Sequence, residues 1–125
     1  MAGRRLLFLD DVRSPETVLG DIVVAVNDVT VCRTADEARE AVEGSPPFHA
    51  WHLDHDLGME IKDHRGVVVS AVEKNAPSGM DFLKWASQHP DKWPVGRILV
   101  HSANPEGRKN MLAFIRSFER VTFGV

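Results

Sequence analysis

Three short apolar runs, each ending at polar and chemically reactive residues, constrain the fold of this chain most strongly. Residues 6–9 run into a pair of aspartates, residues 48–53 run into Asp54, and residues 98–100 run into His101. Continuous apolar runs of this length are typical of strands that are buried on both faces, as in a parallel sheet. Helical patterns separate the runs, so the sequence predicts right-handed strand–helix–strand units and a doubly wound α/β fold.

Capping residues mark the starts of three predicted helices. Thr34 is expected to cap the first helix, Ser78 the second, and Asn104 the third. The remaining strand candidates are residues 29–33 and 120–123. We therefore expect a mainly parallel sheet of five strands, with the strand at residues 6–9 in the middle.

The length of the chain predicts one domain over residues 1–125. Within it, residues 59–76 are expected to form an insertion. The apolar stretch at residues 66–72 in this insertion fits a strand or a helix equally well, because periodicity does not separate the two.

Composition excludes several classes of function. The formal net charge of −3 and the pI of about 6.0 argue against binding to duplex nucleic acid. The single cysteine, Cys32, indicates a reducing compartment. No apolar run approaches the roughly 20 residues that a membrane helix needs. We therefore expect a cytoplasmic protein that does not enter a membrane.

Acidic residues at the strand ends predict a metal site. The carboxyl ends of parallel strands meet at one edge of the sheet, so Asp10, Asp11 and Asp54 are expected to converge. Converging carboxylates repel one another unless they take up protons or share a cation. Oxygen ligands favour hard ions, which predicts Mg²⁺ or Mn²⁺ with Asp56 as an outer ligand. Taken singly, each aspartate would be interpreted as a loop or turn cap.

The start of the third predicted helix carries positive charge, in contrast to the acidic strand ends. The first-turn amides of Glu106 and Gly107, with Arg108 and Lys109 beside them, are suited to a phosphate oxygen. We predict that Asn104, Gly107 and Arg108 contribute to phosphate binding. An ordinary surface helix start explains the same residues, and this alternative stays open.

Two histidines lie at strand ends beside carboxylates. His55 and His101 are expected to have raised pKa values there, because a neighbouring negative charge favours the protonated imidazole. One of them would act as a general base and the other, taken to be His101, as a general acid. The alternative is that both histidines only bond Asp56 and nearby backbone, and so orient the metal ligands.

Two sets of motifs resemble a known superfamily and one branch of it. Residues 7–11, Asp54 and Ser102 resemble the receiver domains of bacterial response regulators. More closely, residues 53–58, 78–81 and 100–105 resemble the cyclic-phosphate processing receiver domains. The resemblance implies a flavodoxin-like fold in which the acidic pair binds Mg²⁺ and the third-strand aspartate accepts a phosphoryl group.

The resemblance also assigns a phosphate contact to Ser102, which we add to the candidate catalytic residues. Two departures from the receiver pattern stand out. The predicted fifth strand, residues 120–123, carries no lysine at its end, and the last helix of the receiver fold is expected to be absent. Both departures argue against an ordinary phosphorelay domain.

The resulting hypothesis is a metal-dependent domain that binds or hydrolyses a cyclic or nucleotide phosphate. As an enzyme it would be a metal-assisted cyclic phosphodiesterase or phosphoesterase. Its ligand would be a small phosphorylated molecule, a nucleotide or an RNA end that carries a cyclic phosphate. Two alternatives remain: a sensor that binds such a ligand without turnover, and a divergent receiver that is phosphorylated on Asp54.

Overall fold

A four-stranded parallel sheet organises the protein in the computed structural model, which describes residues 3–57, 61–62, 65, 68–70 and 77–124. In chain order the strands are β1 (Arg5–Leu9), β2 (Asp28–Cys32), β3 (Ala50–Leu53), β4 (Ile61–Lys62), β5 (Val68–Ser70) and β6 (Ile98–Val100). The sheet has the order β2-β1-β3-β6, and each neighbouring pair is parallel. Because the chain runs to opposite sides of β1, the crevice of the sheet lies beyond the ends of β1 and β3.

Among the described residues, four α-helices lie between these strands in the chain, and a fifth follows β6. In chain order they are α1 (Pro15–Leu19), α2 (Asp21–Val26), α3 (Ala35–Glu43), α4 (Gly79–Ala86) and α5 (Pro105–Phe123). The three predicted caps are confirmed, since the side chains of Thr34, Ser78 and Asn104 each accept a backbone N–H from three residues further on. No helix in the described part of the chain combines the length and the hydrophobicity needed to span a bilayer.

One face of the sheet packs against α3, α4 and α5. In β1 the four leucine and phenylalanine side chains are all at most 5% exposed, as expected for a strand that is buried on both faces. Burying each such side chain contributes roughly 1.5–3 kcal/mol to stability. The core includes Leu7, Leu9, Trp51 and Leu53 from the strands and Ala38, Val42, Phe82, Leu83, Met111 and Ile115 from the helices.

The predicted α/β class with a mainly parallel sheet is confirmed, but the fifth parallel strand is wrong. Residues 120–123 form the last turn of α5 instead. No helix breaker separates them from the preceding turns. The next residue, Gly124, adopts a left-handed φ of 71° and donates its N–H to the carbonyl of Arg120. This glycine cap ends the helix after Phe123, and it overrides the strand preference of the β-branched residues in that turn.

The insertion is described only in part. Ile61–Lys62 pairs with Val68–Ser70 in an antiparallel register, so the apolar stretch at residues 66–72 contains a strand at its centre. The rest of the insertion lies outside the described residues. Within the described ranges, no fifth parallel strand and no helix after α5 are present.

Candidate metal and phosphate site

The hydrogen-bond ladder of the sheet continues past the strands into the site. The backbone N–H groups of Asp10, Asp54 and His101 each donate to the last carbonyl of the neighbouring strand, at 3.1, 2.8 and 2.9 Å. Each of the three residues directly follows its own strand. Their side chains are therefore held by the backbone of the sheet rather than by a free loop.

Three carboxylates converge at this edge, as the sequence predicts. One carboxylate oxygen from each of Asp10, Asp11 and Asp54 lies within 4.8 Å of the others. Asp10 is 0% exposed and Asp54 is 4% exposed, so most of this charge is withdrawn from water. We call these three residues the acidic cluster. Asp56 is not part of it.

Burial and mutual repulsion act on Asp54. Burial, followed by the charge of Asp10, raises the pKa of Asp54 to about 6, although a hydrogen bond from Ser102 works in the other direction. A cation among the carboxylates would relieve this repulsion. A donor set of three closely spaced carboxylates also matches the chemistry of a hard divalent ion. The residues therefore fit a metal ion.

Asp10 is fixed through both of its oxygens. Oδ1 accepts the backbone N–H groups of Val12 and Arg13 at 2.9 and 2.8 Å. Oδ2 lies 3.1 Å from Nε2 of His101. These contacts close a tight turn after β1 and set the direction in which Asp10 faces the other two carboxylates.

The pKa of His101 is shifted in the direction opposite to the one that the sequence predicts. Its ring stacks on Phe8 with the centroids 5.1 Å apart and the planes 7° from parallel. Burial lowers the pKa of His101 by more than the neighbouring Asp10 raises it, so the expected upward shift is wrong. Nε2 is the ring nitrogen that contacts the carboxylate of Asp10, so the proton of the neutral imidazole is assigned to Nε2. Nδ1 is buried and has no hydrogen-bond partner in the described structure.

A second polar network joins the loop after β3 to the start of α5. Nδ1 of His55 lies 2.7 Å from Oδ1 of Asp56. The same oxygen accepts from Nδ2 of Asn104 at 3.3 Å, and the backbone N–H of Asn104 donates to Oγ of Ser102 at 3.1 Å. The bond to His55 is the main cause that lowers the pKa of Asp56. Asp56 is therefore ionised at neutral pH and orients His55.

Two glycines allow helix starts to approach this network closely. A Cβ atom on Gly79 would collide with the carbonyl oxygen of Asp54, and the N–H of Gly79 donates to the carbonyl of His55 at 2.9 Å. At the other helix start, the N–H of Gly107 donates to Oδ1 of Asn104 at 3.0 Å. The amide that we expected at a phosphate oxygen thus serves the cap of α5, and phosphate binding by Gly107 stays a prediction.

The other predicted phosphate ligands surround the same helix start. Ser102 and Asn104 are half-buried, and Ser102 hydrogen-bonds Asp54 of the acidic cluster, whereas Arg108 is exposed on the first turn of α5. The backbone N–H of Arg108 donates to the carbonyl of Asn104 at 2.9 Å. The structure therefore brings Ser102 and Asn104 together with Asp54 and Asp56, and it leaves Arg108 at the edge.

Two arginines beside the acidic cluster escaped prediction from the sequence. Nε of Arg13 lies 3.9 Å from Oδ2 of Asp10. Nη1 of Arg33 donates to the backbone carbonyls of Asp10 and Arg13 at 3.1 and 2.6 Å. The spacing of Arg13 three residues after Asp10 was the available signal. Among the described residues, the guanidinium of Arg33 donates to backbone carbonyls alone, and a sequence carries no signal for such contacts.

A doubly wound sheet with an acidic cluster after β1 and β3 and a serine after β6 defines a receiver-like domain. The family model of the cyclic-phosphate processing receiver domain matches residues 5–117. The chain belongs to this family, which confirms the resemblance drawn from the motifs.

Further comparisons add little to this assignment. No curated protein matches the chain at a significant level. One similar solved structure is described as the crystal structure of adenylate cyclase from Rhodopirellula baltica. It is 21% identical, with a TM-score of 0.39, and the match covers 98% of this chain and 94% of that one. At that TM-score the likeness supports no conclusion about this protein.

Proposed function

We propose that this domain binds a cyclic or nucleotide phosphate at a divalent metal ion held by Asp10, Asp11 and Asp54, and that it hydrolyses the ester. The observation that carries the proposal is the convergence of three carboxylate oxygens within 4.8 Å. The ion would be Mg²⁺ or Mn²⁺, because the donor set is oxygen only. The ligand would be a small phosphorylated molecule, a nucleotide or an RNA end with a cyclic phosphate.

When bound, the ion would offset the charge of the acidic cluster and stabilise negative charge on phosphate oxygens. The chain's own residues would position the ligand. Ser102 offers a hydroxyl beside Asp54, and Asn104 holds the start of α5, where the helix dipole favours an anion. Arg108 on the same first turn would add positive charge at the edge of the site.

His55 is suited to the role of general base. An ionised Asp56 only accepts, so Nδ1 of His55 donates to it, and in the neutral imidazole Nε2 is then the acceptor. The His55 side chain is 23% exposed, so water can reach it. Water would give its proton to Nε2 and form the new P–O bond. The P–O bond in the ring of the cyclic phosphate would break, and the leaving oxygen would take a proton from solvent.

His101 is better suited to a positioning role than to the acid role that we predicted. Its proton on Nε2 faces Asp10, and its lowered pKa keeps it neutral near pH 7. A neutral imidazole bonded in this way orients the carboxylate of Asp10. This supports the alternative interpretation for His101 and leaves the chemical role to His55.

The decisive experiment incubates the protein with a panel of cyclic nucleotides and RNA 2′,3′-cyclic phosphates, with Mg²⁺ or Mn²⁺ and with EDTA. We expect a linear phosphomonoester product that requires the metal and is lost in Asp54→Asn. Asp36→Asn is the matched control, because Asp36 is an exposed carboxylate on α3. Full activity in EDTA or in Asp54→Asn would contradict the proposal.

The sensor hypothesis makes a different prediction for the same panel. A sensor would bind one of these ligands in a metal-dependent manner and return it unchanged. The site would then use Ser102 and Asn104 without the chemistry of His55. Calorimetric binding without product, in the wild type and equally in His55→Ala, would favour the sensor over the enzyme.

A further inference from the structure

We propose that Arg13 is a ligand of the bound phosphate, and that it turns to the phosphate oxygens from its present position beside Asp10. This inference deepens the proposed function and rests on it. It adds a residue from the turn after β1 to the phosphate site. The argument depends on how the backbone and the side chain of Arg13 are held.

The backbone of Arg13 is fixed from two sides. Its N–H donates to Oδ1 of Asp10 at 2.8 Å, and its carbonyl accepts from Nη1 of Arg33 at 2.6 Å. Arg33 also donates to the carbonyl of Asp10, so one guanidinium hydrogen-bonds both ends of the turn from Asp10 to Arg13. A side chain on such a turn starts from a defined point at the edge of the acidic cluster.

The side chain of Arg13, by contrast, is held loosely. Nε lies 3.9 Å from Oδ2 of Asp10, which is an ion pair but too long for a hydrogen bond. The side chain is 35% exposed, and it makes no side-chain hydrogen bond within the part of the chain that the structure describes. A guanidinium has five N–H donors in a fixed fork, so most of its capacity is available to a ligand.

Arg13 lies beside the strand ends that form the crevice. Its partner Asp10 shares the acidic cluster with Asp54, which directly follows β3, and Oδ2 of Asp10 lies 3.1 Å from Nε2 of His101, which directly follows β6. The guanidinium, whose Nε lies 3.9 Å from the same oxygen, is therefore near the crevice between these strand ends. A phosphate between the acidic cluster and Ser102 would therefore be attracted by the positive charge of Arg13.

The ligand chemistry follows from the guanidinium fork. Arginine binds phosphate with two parallel N–H donors, which suits a phosphoester that has two free non-bridging oxygens. A cyclic phosphodiester has such a pair. In the metal-free protein Arg13 is attracted to Asp10. Once the charge of the cluster is balanced, that attraction weakens and Arg13 can face the anion. Metal binding and phosphate binding should thus be positively linked through this residue.

The test uses Arg13→Gln and Arg13→Lys, with Arg39→Gln as the matched control. Arg39 forms an exposed ion pair with Asp36 on α3, so its loss removes the same charge away from the site. Two affinities are measured by calorimetry: that of Mg²⁺ for the protein alone, and that of 2′,3′-cyclic AMP or inorganic phosphate at saturating Mg²⁺. Circular dichroism checks that each variant is folded.

We expect opposite changes in Arg13→Gln. Mg²⁺ should bind about 3- to 10-fold more tightly because a competing cation is gone, whereas the phosphate probes should bind about tenfold or more weakly. Arg13→Lys should recover the metal affinity of the wild type and only part of the phosphate affinity, because it lacks the fork. Arg39→Gln should change neither affinity.

Two results would overturn the inference, and they differ from a failure of the proposed function. Unchanged phosphate affinity in Arg13→Gln would mean that Arg13 is no ligand, although the wild type still binds metal and phosphate. Parallel weakening of both affinities would mean that Arg13 only supports the turn. If the wild type bound neither probe, the proposed function itself would fail.

Discussion

The imidazole of His55 packs directly on the backbone of Gly107 in the first turn of α5. A Cβ atom at residue 107 would lie 2.5 Å from Cγ of the ring and 2.7 Å from Nδ1. Contacts this short do not occur between real atoms, so any larger residue must displace the ring. The position of His55 therefore depends on having glycine, which has no side chain, at residue 107. The pairing of His55 with Asp56 depends on it as well.

We therefore predict that Gly107→Ala moves His55 while the sheet stays intact. Overpacking at this contact should lower the free energy of unfolding by about 1–3 kcal/mol. Hydrolysis of the cyclic phosphate should fall more than Mg²⁺ affinity does. Chemical denaturation and turnover assays measure the two effects. Gly44→Ala is the control, because among the described residues its added methyl would meet only the carbonyl oxygen of Glu40, at 3.2 Å. Wild-type turnover in Gly107→Ala would contradict the prediction.

A second prediction concerns metal binding. Because only the folded chain assembles the acidic cluster, saturating Mg²⁺ or Mn²⁺ should raise the melting temperature. At ten times the dissociation constant the increase should be on the order of 5 °C for a domain of this size. Asp54→Asn should abolish it, whereas Asp56→Asn should retain most of it because Asp56 lies outside the cluster. Differential scanning calorimetry with and without EDTA decides between these outcomes.

A third prediction follows from the raised pKa of Asp54. A carboxyl group whose pKa is raised to about 6 by folding, from 3.8, binds its proton more tightly in the folded protein. Its contribution to the stability of the metal-free protein is present below pH 4 and is lost as the pH rises through about 6. Asp54→Asn should remove this loss, and should raise the free energy of unfolding at pH 7 by about 1–3 kcal/mol.

Urea denaturation in EDTA at intervals from pH 4 to pH 8 measures this effect. Asp36→Asn serves as the control, since the side chain of Asp36 is 76% exposed. The wild type and Asp36→Asn should lose stability over this range in parallel, while Asp54→Asn follows a flatter curve. Parallel curves for all three proteins would show that the buried carboxyl does not carry the pH dependence.

The fourth prediction separates the two histidines. His55→Ala should lower turnover by roughly 10²–10⁴-fold, which is the usual contribution of a general base, and should leave Mg²⁺ affinity nearly unchanged. His101→Ala should mainly weaken Mg²⁺ binding, because it removes the bond that orients Asp10. Steady-state kinetics and calorimetry distinguish these patterns. Unchanged turnover in both folded variants would leave the histidines with a structural role alone.

The sequence predicts the central strands and the convergence of their acidic ends because both depend on local patterns. An apolar run that stops at Asp10 or Asp54 fixes the burial of the strand and the place where it ends. The parallel order of the sheet then brings these ends together. The helix caps at Thr34, Ser78 and Asn104 are local signals of the same kind.

The features that escaped prediction depend on tertiary contacts. The last turn of α5 has β-branched residues, and only the continuity of the helix up to Gly124 decides its conformation. The pKa of His101 falls because of burial against Phe8, which a sequence does not report. The contact of Arg33 with backbone carbonyls depends on where the end of β2 meets the turn after β1.

The hydrogen bond from the N–H of Gly79 to the carbonyl of His55 closes the chain segment between them at its base. Asp54 is held by the ladder of the sheet one residue before this segment begins. The entropy of closing a loop grows slowly with its length, by about 0.6 kcal/mol for each doubling. The segment between His55 and Gly79 can therefore vary in length at little cost in free energy, while the ladder of the sheet keeps the carboxylate of Asp54 in place.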